Sequence, residues 1–210
     1  MSMTLNPVNE AAFQKAVQSL ETLNRAAVFH PTGTGKSCIA WKVVEAHPQT
    51  TFFWLVAGAQ RLALRQAELT RYNGGTLPGN VRFCDCEKLA AATPEQWVRL
   101  GEQKPGCVVL DCYHELSAVC WAQSVQKLLR MCPQAKVLGL GVPNGAPVCA
   151  AAQELFADCI VSHMTVAEAM AAGTMPVPSA YAALLWPQEE ELATLRARIK
   201  NLCMPKGDTS

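Results

Sequence analysis

The stretch "AAVFHPTGTGKSCIAWKVV", from Ala26 to Val44, decides how the rest of the sequence is interpreted. An apolar run breaks into a turn with two glycines and resumes at helical spacing, which predicts a strand, a loop and a helix. The two glycines permit backbone angles that bring successive N–H groups toward one point, where the helix start adds partial positive charge. Lys36 would reach the β and γ phosphates of a nucleotide there, and the Ser37 hydroxyl would bind a magnesium ion. The residues predicted to surround the phosphates are Thr32, Gly33, Thr34, Gly35, Lys36 and Ser37.

A nucleotide site of this kind also needs a carboxylate on the side of the metal. The stretch "CVVLDCYHE" provides one at Asp111, directly after four residues of a predicted apolar strand. In phosphate-loop enzymes an aspartate in this position helps to hold the magnesium ion. The alternative is that Asp111 is an ordinary polar residue in the turn after a strand.

Apolar runs and helical patterns alternate five or six times along the chain. The runs are continuous rather than alternating, which is typical of parallel strands buried on both faces. We therefore predict an α/β fold with a mostly parallel sheet and helices on both faces. The predicted strands are 26–30, 51–57, 81–86, 107–112, 136–141 and 159–163. One predicted helix begins near residue 36, and the others span 59–72, 94–103, 119–131, 147–156 and 165–172.

Composition and length limit the possible classes of protein. The chain has 210 residues, 50% of them hydrophobic and 17% charged, with a formal net charge of +1. It can therefore bury a substantial core, and it is not a strongly basic nucleic-acid module. No run approaches the roughly 18 apolar residues of a membrane span, and no secretory signal precedes the fold, so we expect a cytoplasmic protein. The ten cysteines lack zinc-site spacing, and most are expected to be reduced core residues.

Together, these motifs resemble the first RecA-like, ATP-binding motor domain of superfamily-two helicases, the DEAD/DEAH-box class. "HPTGTGKS" is similar to helicase motif I (Walker A), which tolerates a residue other than glycine at the position of His30. "VVLDCYHE" resembles motif II, with Asp111 and His114 at the first and fourth positions of D-E-x-H. "KVLGLGVPNGAP" lies where motif III is expected, and Gln14 lies where an adenine-reading glutamine is expected. The resemblance implies a three-layer RecA-like P-loop fold over residues 1–182, binding ATP and Mg²⁺, with Lys36, Asp111 and His114 as catalytic residues.

The resemblance also implies contacts to nucleic acid, DNA or RNA, through the phosphate backbone. "FFWLVAGAQRLALRQ" lies where helicase motif Ia contacts the strand, which suggests Gln60, Arg61 and Arg65 as contacts, together with Lys88 after the third strand. The alternative is that these side chains belong to an ordinary solvated helix face.

Several departures from the helicase pattern affect the expected activity. Cys112 stands where the motif II glutamate activates water, and a thiol is a poor substitute for that carboxylate. The motif III threonines are replaced by "GVP" at Gly141, Val142 and Pro143. Residues 183–210 are predicted to form a charged helix and a frayed tail. This segment is too short for a second motor domain of roughly 100 residues or more. Under this resemblance the chain is either a fragment of a longer helicase or a free-standing remnant of one, and the expected partners are a second motor domain or a partner protein.

Three functions are compatible with these observations. The first is an ATP-binding, helicase-like motor domain that acts on nucleic acid and hydrolyses ATP weakly or not at all in isolation. The second is a catalytically inactive pseudo-helicase that serves as a binding or regulatory module. The third is a small-molecule kinase, whose arginine-bearing lid would draw on Arg61, Arg65, Arg71 and Arg82.

Overall fold

The structure is a computed structural model, and it describes residues 3–111, 119–143 and 155–177, together with residues 193, 194 and 196. The chain divides into two compact units, Met1–Pro176 and Val177–Ser210. The first unit covers most of the predicted nucleotide-binding domain, 1–182. The predicted charged helix in 183–210 lies almost wholly outside the described residues.

The described part of the first unit alternates strands and helices along the chain. The strands are β1 (Arg25–Phe29), β2 (Phe52–Val56), β3 (Val81–Asp85), β4 (Cys107–Asp111), β5 (Lys136–Gly141) and β6 (Ile160–His163). The helices are α1 (Pro7–Thr22), α2 (Lys36–Ala46), α3 (Ala59–Tyr72), α4 (Cys86–Ala90), α5 (Pro94–Glu102), α6 (Val119–Met131) and α7 (Val166–Ala171). All six predicted strands are confirmed, as are five of the predicted helices. The sixth predicted helix, 147–156, lies largely outside the described residues.

The six strands form one sheet in the order β3-β2-β4-β5-β1-β6, and every pairing is parallel. The carboxyl ends of the strands therefore lie along the same edge of the sheet. Asp111 at the end of β4 is level with Leu140 of β5, which is level with Val28 of β1. Because β5 separates β1 from β4, the loop after β1 and the carboxylate of Asp111 lie about two strand spacings, or ~10 Å, apart along this edge.

Two apolar clusters cover the two faces of the sheet, and successive strand residues contribute to them in turn. Val28 and Trp54 belong to the cluster that also contains buried residues of α1, α2 and α3. Phe29 and Phe53 belong to the other cluster, with buried residues of α4, α5 and α6. Burial on both faces explains why the strands are continuous apolar runs in the sequence. The first unit is thus a three-layer α/β structure, as predicted.

None of the helices in the described ranges has the length and apolar character needed to cross a bilayer. Six cysteines in the described ranges carry free thiols. Burial raises the pKa of Cys132, and it raises the pKa of two others, Cys84 to about 11 and Cys107 to about 12. At neutral pH these two are therefore protonated, apolar core residues rather than reactive thiolates.

Candidate functional site

The loop between β1 and α2 has the backbone geometry of an anion-binding turn. Gly33 and Gly35 both have a φ of 88°, a left-handed conformation that residues with a Cβ rarely adopt. Gly35 is the N-cap of α2, and the helix begins at Lys36. Because the first N–H groups of a helix have no partner within it, this loop presents donors and the positive end of a helix dipole. The predicted phosphate-loop residues are therefore brought together at one end of β1.

Two buried side chains hold the loop in this shape. The Thr34 hydroxyl donates to the carbonyl of Pro31 at 2.8 Å, which closes the loop on itself. The Asn9 amide of α1 donates to the carbonyl of Thr34, also at 2.8 Å. A Cβ on Gly35 would lie only 2.9 Å from the same amide nitrogen, so this close contact also favours glycine. Asn9 was not among the predicted site residues, although a polar residue on the mostly apolar buried face of α1 was a usable signal.

Lys36 is placed beside the loop that precedes it. Its Nζ donates to the carbonyl oxygens of His30 and Pro31 at 2.7 and 2.8 Å. The ammonium therefore lies over the start of the loop, where a positive charge would face a bound phosphate. Ser37, in the first turn of α2, is half-buried.

His30 occupies the position where the strict phosphate-loop pattern has glycine, and it is fully buried. Its Nε2 is hydrogen-bonded to the hydroxyl of Ser162 in β6 at 2.8 Å, and its backbone N–H donates to the carbonyl of Gly141 in β5. Burial, with the nearby charges of Lys36 and His163, lowers the pKa of His30 to about 4. The ring is therefore neutral at pH 7 and ties the start of the loop to the neighbouring strands.

Asp111 is buried at the end of β4 and is surrounded by residues from two other elements. The indole Nε1 of Trp54 in β2 donates to its Oδ2 at 3.0 Å. The guanidinium of Arg65 in α3 contacts both carboxylate oxygens, with Nε 2.5 Å from Oδ2 and Nη2 3.4 Å from Oδ1. Arg65 also forms an ion pair with Glu68 one turn further along α3. Although burial opposes the charged form, Asp111 and Glu68 raise the pKa of Arg65 above its ordinary value.

The remaining predicted site residues lie apart from the phosphate loop. Gln14 is exposed on α1, where its amide donates to Glu10 at 2.9 Å. Gln60, Arg61 and Lys88 are exposed in the helices that follow β2 and β3, near the same edge of the sheet as the loop. Arg65, predicted as a nucleic-acid contact, instead has its guanidinium against Asp111. His114, Cys112 and Glu115 lie outside the described residues.

The residues present fit a nucleotide phosphate better than they fit the predicted magnesium ion. The loop, the helix start and Lys36 together provide donors and positive charge. Ser37, one of the two predicted metal ligands, lies in the first turn of α2. Asp111 is the other predicted metal ligand, but both of its carboxylate oxygens already contact the guanidinium of Arg65.

The sheet and the loop define the class of fold: a three-layer α/β domain with the predicted phosphate loop at the carboxyl edge of a parallel sheet. Comparison with solved structures identifies this fold as RecA-like. The SWI2/SNF2 ATPase core of Sulfolobus solfataricus, in complex with double-stranded DNA, superposes with a TM-score of 0.55 at 13% identity over 72% of this chain. The DUF1998 helicase MrfA, bound to DNA and AMPPNP, gives 0.54 at 15% identity over 79%. A hypothetical ATP-dependent RNA helicase of Sulfolobus tokodaii gives 0.52 at 12% identity over 73%.

At these identities the likeness is one of fold. The matched part of this chain spans 35% of the SWI2/SNF2 core, 30% of MrfA and 51% of the RNA helicase. No protein-family model and no curated protein matches the sequence.

Proposed function

We propose that this chain binds ATP at the phosphate loop, as a helicase-like motor domain, and hydrolyses it slowly or not at all in isolation. The observation that carries the proposal is the loop itself: two glycines at a φ of 88°, followed directly by Lys36 at the start of a helix. The fold shared with helicase structures supports the same conclusion, since in this fold the loop lies at the edge where nucleotides bind.

In this proposal the loop binds and orients the phosphates, while the residues around it keep the loop in shape. Backbone N–H groups of the loop and the α2 start would donate to phosphate oxygens, and Lys36 would neutralise the β and γ phosphates. Thr34 and Asn9 fix the loop carbonyls, so little ordering remains for the ligand to impose. Slow turnover follows from Cys112, because the residue at this position should activate the attacking water.

Calorimetric titration of ATP and ADP into the purified chain tests the proposal. We expect binding to the wild-type chain and none to Lys36→Ala, because the variant lacks the charge beside the loop. Lys15→Ala, which removes an exposed lysine of α1, is the matched control and should bind like the wild type. Equal binding by Lys36→Ala and Lys15→Ala would contradict the proposed site, as would the absence of binding to the wild type.

A second candidate is the pseudo-helicase, a module that keeps the fold and acts through partners. Two observations favour it: the thiol at Cys112 and the cation that already covers Asp111. The variant Cys112→Glu separates the candidates in a phosphate-release assay. A rise in ATP turnover would show that the water-activating carboxylate was the missing part. Unchanged turnover would indicate a scaffold, or a requirement for a second motor domain.

For nucleic acid, we propose that the exposed side chains of Gln60, Arg61 and Lys88 contact the phosphate backbone. They lie after neighbouring strands, on the edge of the sheet that carries the nucleotide loop. Contacts of this kind position a strand without reading its sequence. A second motor domain or a partner protein would complete the groove.

A further inference from the structure

The ion pair between Arg65 of α3 and Asp111 of β4 lies where three elements, α3, β4 and β2, meet at one edge of the sheet. Val56 at the end of β2 is level with Asp111 at the end of β4. Trp54 of β2 therefore lies beside the carboxylate, and α3, which follows β2, brings Arg65 across it. The side chain of Asp111 is 4% exposed and that of Arg65 is 22% exposed. The carboxylate is thus a buried group whose charge is balanced within the protein.

This arrangement conflicts with a role for Asp111 in holding magnesium. Mg²⁺ requires oxygen ligands in a near-octahedral arrangement and gives up its water reluctantly. At Asp111 both carboxylate oxygens face the guanidinium, and Oδ2 also accepts from the indole of Trp54. To bring a metal to this carboxylate, Arg65 would have to leave a partly buried site that it shares with Asp111 and Glu68. Removing the guanidinium from a carboxylate that is only 4% exposed is unfavourable unless the metal replaces its charge, and the metal must first give up some of its own water.

We propose that Arg65 takes the place of magnesium at Asp111, so that this chain binds nucleotide equally well with and without Mg²⁺. The inference rests on the proposed function, since it concerns the same nucleotide site. It assigns Arg65 to the nucleotide site rather than to the nucleic-acid surface. Asp111 is then a positioning residue, which holds the guanidinium at the carboxyl edge of the sheet, two strands from the phosphate loop.

The test is the affinity for ADP, measured by calorimetry in millimolar Mg²⁺ and again in EDTA. For the wild type, we expect the two dissociation constants to agree within about threefold. Arg65→Gln releases the carboxylate of Asp111 and should make binding about tenfold tighter in Mg²⁺ than in EDTA. The double variant Arg65→Gln/Asp111→Asn removes both charges and keeps two amides that can bond to each other, so its dependence on Mg²⁺ should disappear again. Arg99→Gln, at an exposed arginine of α5, is the matched control and should behave like the wild type.

Three results would overturn the inference. One is wild-type binding that is about tenfold tighter in Mg²⁺ and loses this dependence in Asp111→Asn. Another is an Arg65→Gln variant that binds ADP but shows no dependence on Mg²⁺. The third result is the absence of ADP binding to every variant in both conditions, which would overturn the proposed function itself and is distinguishable from the first two.

If Arg65→Gln does not fold, as judged by its thermal unfolding curve, the wild-type and Asp111→Asn titrations decide alone.

Discussion

His30 is a buried base next to the half-buried Lys36, and its protonation state should affect the stability of the protein. Its pKa is about 4 in the folded protein, below the ordinary value of 6.5, because of burial and the charges of Lys36 and His163. Between these two values the unfolded chain binds a proton that the folded chain does not. The free energy of unfolding therefore increases as the pH rises from 4 to 6.5, and this contribution is lost again on acidification.

We predict that His30→Gln reduces this pH dependence. Glutamine can place an amide near the position of Nε2 and bond to Ser162, but it does not titrate. A shift from 6.5 to about 4 corresponds to at most about 3 kcal/mol of pH-dependent stability. Urea unfolding at pH 7 and at pH 4.5 or thereabouts measures the difference.

His47→Gln is the matched control for this experiment, since His47 lies at the end of α2, away from the phosphate loop. It should lose as much stability on acidification as the wild type. If His30→Gln also loses the same amount as the wild type, the buried ring is not the source of the effect.

The residues of the site differ in how far the sequence could identify them. Lys36 and the glycines follow one another along the chain, so their pattern was readable, and Asp111 follows an apolar run that predicts a strand end. Their partners were not readable, because each comes from another element. Arg65 is 46 residues from Asp111, and Asn9 is 25 residues from Thr34. Only the packing of helices and strands in the folded chain brings these pairs together.

At the level of elements, β5 packs closely against an aromatic ring through a glycine. A Cβ placed on Gly139 would lie 2.7 Å from Cζ and 2.8 Å from Cε2 of Phe156, whose side chain is fully buried. These separations are shorter than real contacts allow, so the ring or the strand would have to move. The glycine thus lets Phe156 lie directly on the strand between β1 and β4.

We predict that Gly139→Ala destabilises the protein by about 1–3 kcal/mol, the usual cost of overpacking a core. The midpoint of urea unfolding would shift to a lower concentration with an unchanged slope. Gly79→Ala is the control, since a Cβ there meets no atom within 4 Å. Equal stability of the two variants would show that the ring adjusts at no cost.

The strands were predictable because burial on both faces of the sheet makes them apolar runs in the sequence. Strands such as β2 and β4 are uninterrupted apolar runs, and the structure places them in the middle of the sheet. Two helices were not predicted. One is α1, and the other is the short helix α4, which follows β3 directly and whose five residues carry too little periodicity. The apolar runs do not determine the order of the strands, because an apolar strand can pair with any neighbour and its composition does not specify which.

For the whole molecule, the net charge of +1 means that any attraction to nucleic acid must be local. We predict that Arg61→Glu combined with Lys88→Glu weakens binding of a single-stranded oligonucleotide about tenfold or more. The dependence of log K on log salt concentration should decrease by about 1.4, as expected for two lost phosphate contacts to a single strand. Fluorescence anisotropy at several salt concentrations measures both quantities.

The control for this variant makes the same charge change elsewhere on the molecule. Arg99 and Lys104 are exposed and lie before β4, toward the opposite end of the strands. Arg99→Glu combined with Lys104→Glu should leave most of the binding intact. If both double variants lose affinity equally, the attraction is not confined to the predicted edge.

The all-parallel sheet has a consequence for how the protein is made. Arg25 of β1 pairs with Val137 of β5, roughly 110 residues later in the chain, and β1 pairs on its other side with β6, which comes later still. During synthesis on the ribosome, β1 therefore cannot pair with either neighbour until that neighbour has been synthesised. At about 5–20 residues per second, β5 is synthesised roughly 6 to 20 s after β1. The phosphate loop, although it is encoded near the start of the message, is among the last parts of the nascent chain to gain its final surroundings.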